Sequence, residues 1–160
     1  MNQPIEADAV REFLVRHLAE VFSTMLSLPA VPLAPMPAGD ANEHISGSVG
    51  FAGETVTGAV YLHLSAPFAN RVAAAMLGLP PEENLGQADV NDVVGEATNM
   101  LTGGLKSWLC DAGAECAVST PAIIRGTSFN IEHMPDVDRE SLVFECGENR
   151  LVVEIHIKLN

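Results

Sequence analysis

Apolar and polar positions along this chain follow two periods, and the change from one to the other lays out the elements. From Glu6 to Leu28 the apolar residues Val10, Phe13, Leu14, Leu18, Val21, Phe22, Met25 and Leu26 recur at helical spacing, the stripe of an amphipathic helix. His17 lies on that stripe and reads as a core residue. Pro29, Pro32, Pro35 and Pro37 end the helix, because each removes a donor and clashes with the preceding turn. Alternation then takes over. Ile45, Gly47, Val49 and Phe51 share one face of a strand, and Val56, Val60, Leu62 and Leu64 share one face of the next. Gly53-Glu54 between them marks a hairpin. A short helix over Pro67–Leu77 has Ser65 as its cap and stops before Gly78 and Pro80-Pro81.

The longest helical pattern spans Ala88–Cys110, with Asp89 or Asn91 available to cap it. Val93, Val94, Ala97, Met100, Leu101, Leu105 and Trp108 gather on its apolar face. Beyond Gly113 come extended stretches over Glu115–Thr120, closed by Pro121, and over Ala122–Glu132, interrupted by Gly126. An acidic loop, Pro135–Glu140, leads to a hairpin of Ser141–Cys146 and Arg150–Leu159, turned by Gly147-Glu148-Asn149. In the last strand Leu151, Val153, Ile155, Ile157 and Leu159 face inward, and Val152, Glu154, His156 and Lys158 outward. Long helices and hairpin-linked, half-solvated strands predict an α+β fold with mainly antiparallel strands. A faint echo links the two long helices: Glu20-Val21-Phe22-Ser23 in the first, Glu96-Ala97-Thr98-Asn99 in the second.

The polar side of the second long helix is the unusual part. Asp92, Glu96, Asn99 and Gly103 fall at i, i+4, i+7 and i+11, so they line up. An ordinary solvated face carries long Lys and Glu side chains at loose spacing. Here two carboxylates and an amide are set among Gly95, Gly103 and Gly104, each costing a helix interior about 0.8–1 kcal/mol against alanine. Glycines there allow a large body to come close to the helix backbone.

Length and charge narrow the classes. At 160 residues the chain suits one domain with its own core. No apolar run approaches the roughly 20 residues that span a bilayer, and MNQPIEADAVREF lacks the basic start and apolar core of a signal peptide; the expectation is a cytoplasmic protein. A net charge of -13 argues against nucleic acid or anionic lipid as partner. Cys110, Cys116 and Cys146 form no C-x-x-C pair and read as reduced, packed thiols. There is no G-x-S-x-G elbow, phosphate loop or H-E-x-x-H. The glycines of GSVGFAG sit in a strand pattern. His63 and His156 fall on outward strand positions, where a solvated or dimer-facing ring is expected, and no metal-ligand spacing emerges. Asp136 and Asp138 read as a solvated loop.

Asp92-x3-Glu96-x2-Asn99, with Pro121 downstream, resembles the signature of the CheC/CheX/FliY phosphatases of bacterial chemotaxis. The order of helix, hairpin, helix, long helix and strands is similar over nearly the whole chain. A single Glu-x-x-Asn on the second long helix, with Ser23 where the amide would sit in the first and bulky Phe22 beside it, resembles the CheX branch. Two departures stand: Asn99 and Pro121 enclose 21 residues, one fewer than that pattern usually has, and Gly103-Gly104 interrupts the helix. The resemblance implies a CheC-like domain over residues 1–160, a mainly antiparallel sheet packed on two long helices and a shorter one.

It also implies a protein phosphatase, a hydrolase of the aspartyl-phosphate of a CheY-like response-regulator receiver. Asn99 would position the attacking water and Glu96 would pair with the partner's lysine. Asp92, Gly95 and Gly103 would serve docking. No cofactor is expected on this chain, since the phosphorylated receiver brings its own Mg²⁺. A homodimer is expected from the same likeness. The alternative is a CheX-like module that binds or dimerises in a two-component or chemotaxis pathway without catalysis.

Overall fold

A computed structural model describes residues 5–26, 30–33, 43–127, 136–146 and 149–159. Within them the apolar stripes meet in one core between a sheet and three helices. The order is α1 (Ala7–Leu26), β1 (Ala30–Leu33), β2 (His44–Ala52), β3 (Val56–Ser65), α2 (Ala66–Met76), α3 (Gln87–Asp111), β4 (Ala117–Val118), β5 (Ala122–Gly126), β6 (Asp138–Cys146) and β7 (Asn149–Leu159). The strands form a seven-stranded sheet in the order β1-β6-β7-β3-β2, with β4 and β5 both pairing with β2 at the far side. Every pairing is antiparallel.

One face of this sheet is apolar because the strand period is two. Ile45, Val49 and Phe51 of β2, Val60, Leu62 and Leu64 of β3, Leu142 and Phe144 of β6, and Leu151, Val153 and Ile155 of β7 are all buried. The helices cover that face. α3 lies against β2, β3, β4 and β5, α1 against β1 and β6, and α2 touches both other helices. α2 starts as its sequence dictates: Ser65 Oγ accepts the Phe68 amide at 3.3 Å. Just past its end Gly78 takes φ +70, a region open to glycine.

The differences from the sequence reading have local causes. Strand β1 lies inside the proline-rich stretch that showed no strand pattern. Its Pro32 is tolerated because β1 is an edge strand, paired only with β6, where a missing donor breaks no second ladder. β6 begins at Asp138, so Asp138, Arg139 and Glu140 belong to a strand rather than to the acidic loop. Their pairing with Ile157, His156 and Ile155 of the long β7 fixes them. Asp136 precedes it at φ 71, a conformation Asp accepts better than most residues. Asn149 is likewise in the ladder, opposite Cys146; Gly147 and Glu148, and the stretch from 128 to 132, lie outside the described residues. Leu159, at the end of β7, is 43% exposed rather than inward. α3 is capped by Gly86 and not by Asp89 or Asn91. Asp89 sits in its first turn, where a negative charge favours the helix dipole.

Candidate functional site

Helix α3, about 37 Å long at 1.5 Å per residue, is fastened to its surroundings on three sides. Beneath it, β2 has Gly47: a Cβ there would strike Thr98 Oγ1 and come within 3.3 Å of the Val94 carbonyl. The helix therefore rests directly on the strand. The two buried hydroxyls of this helix are satisfied within it. Thr98 Oγ1 donates to the Val94 carbonyl at 2.7 Å, and Thr102 Oγ1 to the Thr98 carbonyl at 2.8 Å.

On the α1 side Gly104 leaves room for the His17 ring, which a Cβ would strike. His17 Nε2 lies 3.1 Å from the Met100 carbonyl; since a carbonyl only accepts, this nitrogen carries the proton. The ring stacks on Phe13, centroids 5.2 Å apart, and Phe13 stacks on Trp108 at 5.5 Å. On the third side Pro121 leans on Gly95, with Pro121 Cγ 3.4 Å from a Cβ built there. Pro121 has no amide to extend the ladder, so the strand breaks between β4 and β5 and the proline tilts toward the helix.

The first turns of α3 are held as well. Arg125 of β5 donates to Asn91 Oδ1 from Nε at 3.0 Å and from Nη2 at 2.7 Å, and its Nη1 lies 3.3 Å from Glu43 Oε1. Nothing in the sequence pairs Arg125 with Asn91, thirty-four positions apart, so this clamp was not legible beforehand.

The face turned away from all these contacts carries the row read from the sequence. Asp92 and Glu96 are exposed and Asn99 is half-buried. Among the described residues, none of the three side chains has a hydrogen bond or ion pair. A Cβ at Gly103 would meet nothing within 4 Å. Gly95, assigned to docking from the sequence, is buried under Pro121 and serves the packing of this chain. Met100, assigned to the apolar face, is 38% exposed. It stands at i+4 from Glu96, so helical geometry places it beside the polar row; its hydrophobicity alone had suggested the core.

The sheet face opposite the helices holds a second polar group. Ser46 Oγ lies 2.6 Å from His63 Nδ1, and Glu154 meets His63 Nε2 at 3.5 Å, His156 Nε2 at 3.2 Å and Arg139 Nη2 at 3.1 Å. Tyr61 stacks parallel to His63 at 6.2 Å. Burial by itself would raise the Glu154 pKa. Hydrogen bonds from His63 and His156, the His63 charge and Arg139 outweigh it and lower the group to about 2. The two histidines are thus engaged rather than solvated, and His156 is only 7% exposed. Among the described residues no three His, Cys, Asp or Glu side chains converge as metal ligands. No helix there is long and apolar enough to cross a membrane.

The family described as chemotaxis phosphatase CheX matches residues 45–146, well over half the chain and all of α3 with its strand support. The chain belongs to the CheX family. Solved structures agree in fold. The chemotaxis protein CheX from Vibrio vulnificus is 28% identical, with 98% of this chain and 100% of that one covered at a TM-score of 0.79. A CheC-like superfamily protein from Shewanella sp. PV-4 is also 28% identical, over 96% of this chain and 99% of that one, at 0.79. The CheX of a CheX–CheY–BeF3–Mg²⁺ complex from Borrelia burgdorferi is 19% identical, over 93% and 97%, at 0.75, and shares the fold. No curated protein matches the chain.

Proposed function

We propose that this CheX-family chain hydrolyses the aspartyl-phosphate of a CheY-like receiver domain. Asn99 holds the attacking water and Glu96 docks on the partner's lysine. The single observation that carries the reading is the uncommitted pair itself: an exposed acid and a half-buried amide, one turn apart, with no hydrogen bond of their own among the described residues, on a helix braced on three sides. A carboxamide has both an acceptor and two donors, so it can orient a water in line with a phosphorus atom. Orientation of this kind is worth at most roughly 7–11 kcal/mol in ideal cases, and one amide supplies a part of it. The receiver would bring the phosphoryl group and the Mg²⁺ that neutralises charge on its oxygens. Asp92, one turn before Glu96, extends the acidic edge toward a basic surface. Gly103 leaves the backbone open to the partner, and Met100 offers it an apolar contact.

Support for the partner class comes from the family match and from the Borrelia burgdorferi relative, which was solved with CheY. A homodimer belongs to the same proposal: the sheet ends in β4 and β5, where Val118 and Ile124 are exposed, and such an edge can pair with a second copy. Sedimentation velocity tests that state.

The deciding assay follows loss of phosphate from a phosphorylated receiver with Mg²⁺. Asn99→Ala is expected to lower kcat about a hundredfold or more, roughly 3 kcal/mol of barrier, with binding kept. Glu96→Lys is expected to weaken association instead, by opposing like charges. Wild-type hydrolysis by both variants would show that these residues have other roles. Tight binding by the wild-type chain with no release of phosphate would leave the non-catalytic module.

A further inference from the structure

The polar row on α3 does not stop at Gly103. Seven positions on, Cys110 occupies the same side of the helix, half-buried in its last turn. The chain then reverses tightly. The Gly113 amide donates to the Cys110 carbonyl at 3.0 Å and the Ala114 amide to the Leu109 carbonyl at 2.8 Å, with Gly113 at φ +91. This reversal carries Cys116, also half-buried, back beside the helix end, where β4 packs on α3 and the Cys116 thiol interacts with that of Cys110 and with the Lys106 charge. The backbone at Cys116 is pinned from the other side. A Cβ at Gly53, in the β2–β3 turn, would strike the Glu115 carbonyl and come 3.2 Å from Cys116 Cα, and the next residue pairs with Ala52.

We propose that Cys110 and Cys116 are a redox modification site that takes a hydroperoxide and closes to a reversible disulfide, clipping the end of α3 to β4. The Cys110 thiolate attacks a peroxide oxygen; the O–O bond breaks, the alcohol or water leaves with the thiol's proton, and Cys110 becomes a sulfenic acid. Cys116 sulfur then attacks the sulfenic sulfur, the S–S bond forms, and water departs with the hydroxyl and the Cys116 proton. The two sulfurs together lose two electrons and the hydroperoxide gains them. Burial and the neighbouring Cys110 push the Cys116 thiol up, and Lys106 partly opposes this, which suits Cys116 to resolving rather than attacking. Cys146 is an internal control: it is fully buried and burial alone lifts it to about 11. The inference is independent of the receiver proposal.

The test treats the full chain with hydrogen peroxide, with and without later dithiothreitol, followed by non-reducing peptide mapping and thermal melting. Expected are a Cys110–Cys116 crosslink within one chain, an unmodified Cys146 and a Tm raised by roughly 5–10 °C for a ring of this length, all reversed by dithiothreitol. Cys110→Ser is expected to lose both signals, and Cys116→Ser to stop at a sulfenic acid on Cys110 that dimedone traps. Separate over-oxidation of the two cysteines, crosslinks only between chains, or a crosslink that leaves Tm unchanged would overturn the proposal.

Discussion

Gly103 and Gly104 are neighbours in α3, yet the structure assigns them opposite roles, and alanine at each separates those roles. A Cβ at Gly103 meets nothing within 4 Å, so Gly103→Ala collects the full helix-propensity difference, about 0.8–1 kcal/mol of added stability. For a chain of this size that raises Tm by roughly 2–4 °C. At Gly104 the same methyl would strike the His17 ring. The ring must move, giving up its bond to the Met100 carbonyl and its stack on Phe13. Overpacking of this kind costs about 1–3 kcal/mol and the lost hydrogen bond about 1 kcal/mol, which together outweigh the propensity gain. Gly104→Ala is therefore expected to destabilise by about 1–3 kcal/mol in urea denaturation. Function then divides the pair again. If a receiver rests on the open backbone at Gly103, the stabilised Gly103→Ala variant should bind it about tenfold more weakly, a loss of roughly 1.4 kcal/mol. A Gly103→Ala protein that gains stability and binds the phosphorylated receiver like wild type would refute the docking surface while leaving the fold intact. A stabilised Gly104→Ala protein would refute the His17 contact.

Glu154, with its pKa lowered from 4.5 to about 2, contributes stability that is present above pH 4.5 and lost as pH falls toward 2; the shift corresponds to about 3 kcal/mol. Glu154→Gln should therefore destabilise the protein by about 2–3 kcal/mol near neutral pH and flatten the acid limb of a pH series of urea melts; an unchanged acid limb would show that the network does not hold the carboxylate ionised. Met100→Ala should change stability by less than about 0.5 kcal/mol, as at an exposed position, where a core methionine would cost about 2–5 kcal/mol; a loss in the larger range would return Met100 to the core. Gly47→Ala should lower stability by at least about 1–3 kcal/mol, because Thr98 and the Val94 carbonyl leave no room, and wild-type stability would mean that α3 does not rest on β2 as described.

Much of this was legible because period and punctuation agree. The strand pairs β2–β3 and β6–β7, the short α2 with its Ser65 cap and the span of α3 all follow from alternation, helical spacing, glycine and proline. The polar row of α3 was legible for the same reason: positions three and four apart share a face whatever the tertiary structure does. What was not legible required long-range contacts. Gly95 looked like part of the open face, and only the arrival of Pro121 from beyond the helix buries it. His63 and His156 looked solvated by strand parity, but parity says which face a residue takes and not whether Glu154 and Arg139 wait there. β1 was hidden by Pro32, which argues against a central strand and is silent about an edge. The choice of Glu96 and Asn99 as the proposed reacting pair came from the family likeness; helical geometry alone gives a clear row without ranking its members.

The glycines of α3 turn that row into something with mechanical consequences. Gly95 and Gly104 cost helix propensity, and each is offset by a contact that stops the helix from rotating: Pro121 on one flank, His17 on the other, with Gly47 fixing its height over β2. A water-positioning group must be held to about 0.5 Å to be effective, and a helix locked on three sides gives it a fixed backbone to stand on. The half-buried Asn99 side chain has no hydrogen-bond partner among the described residues, so no bond within the chain fixes its rotamer. Ordering such a side chain costs about 0.5–1.5 kcal/mol on binding, and in the proposed reaction the docked receiver is what orders it. It follows that a variant giving Asn99 a partner inside this chain, such as Gly103→Asp one turn on, should tie up the amide and lower kcat even though both proposed reacting residues are still present. Full activity in that variant would mean the unbonded amide of Asn99 has no part in the reaction.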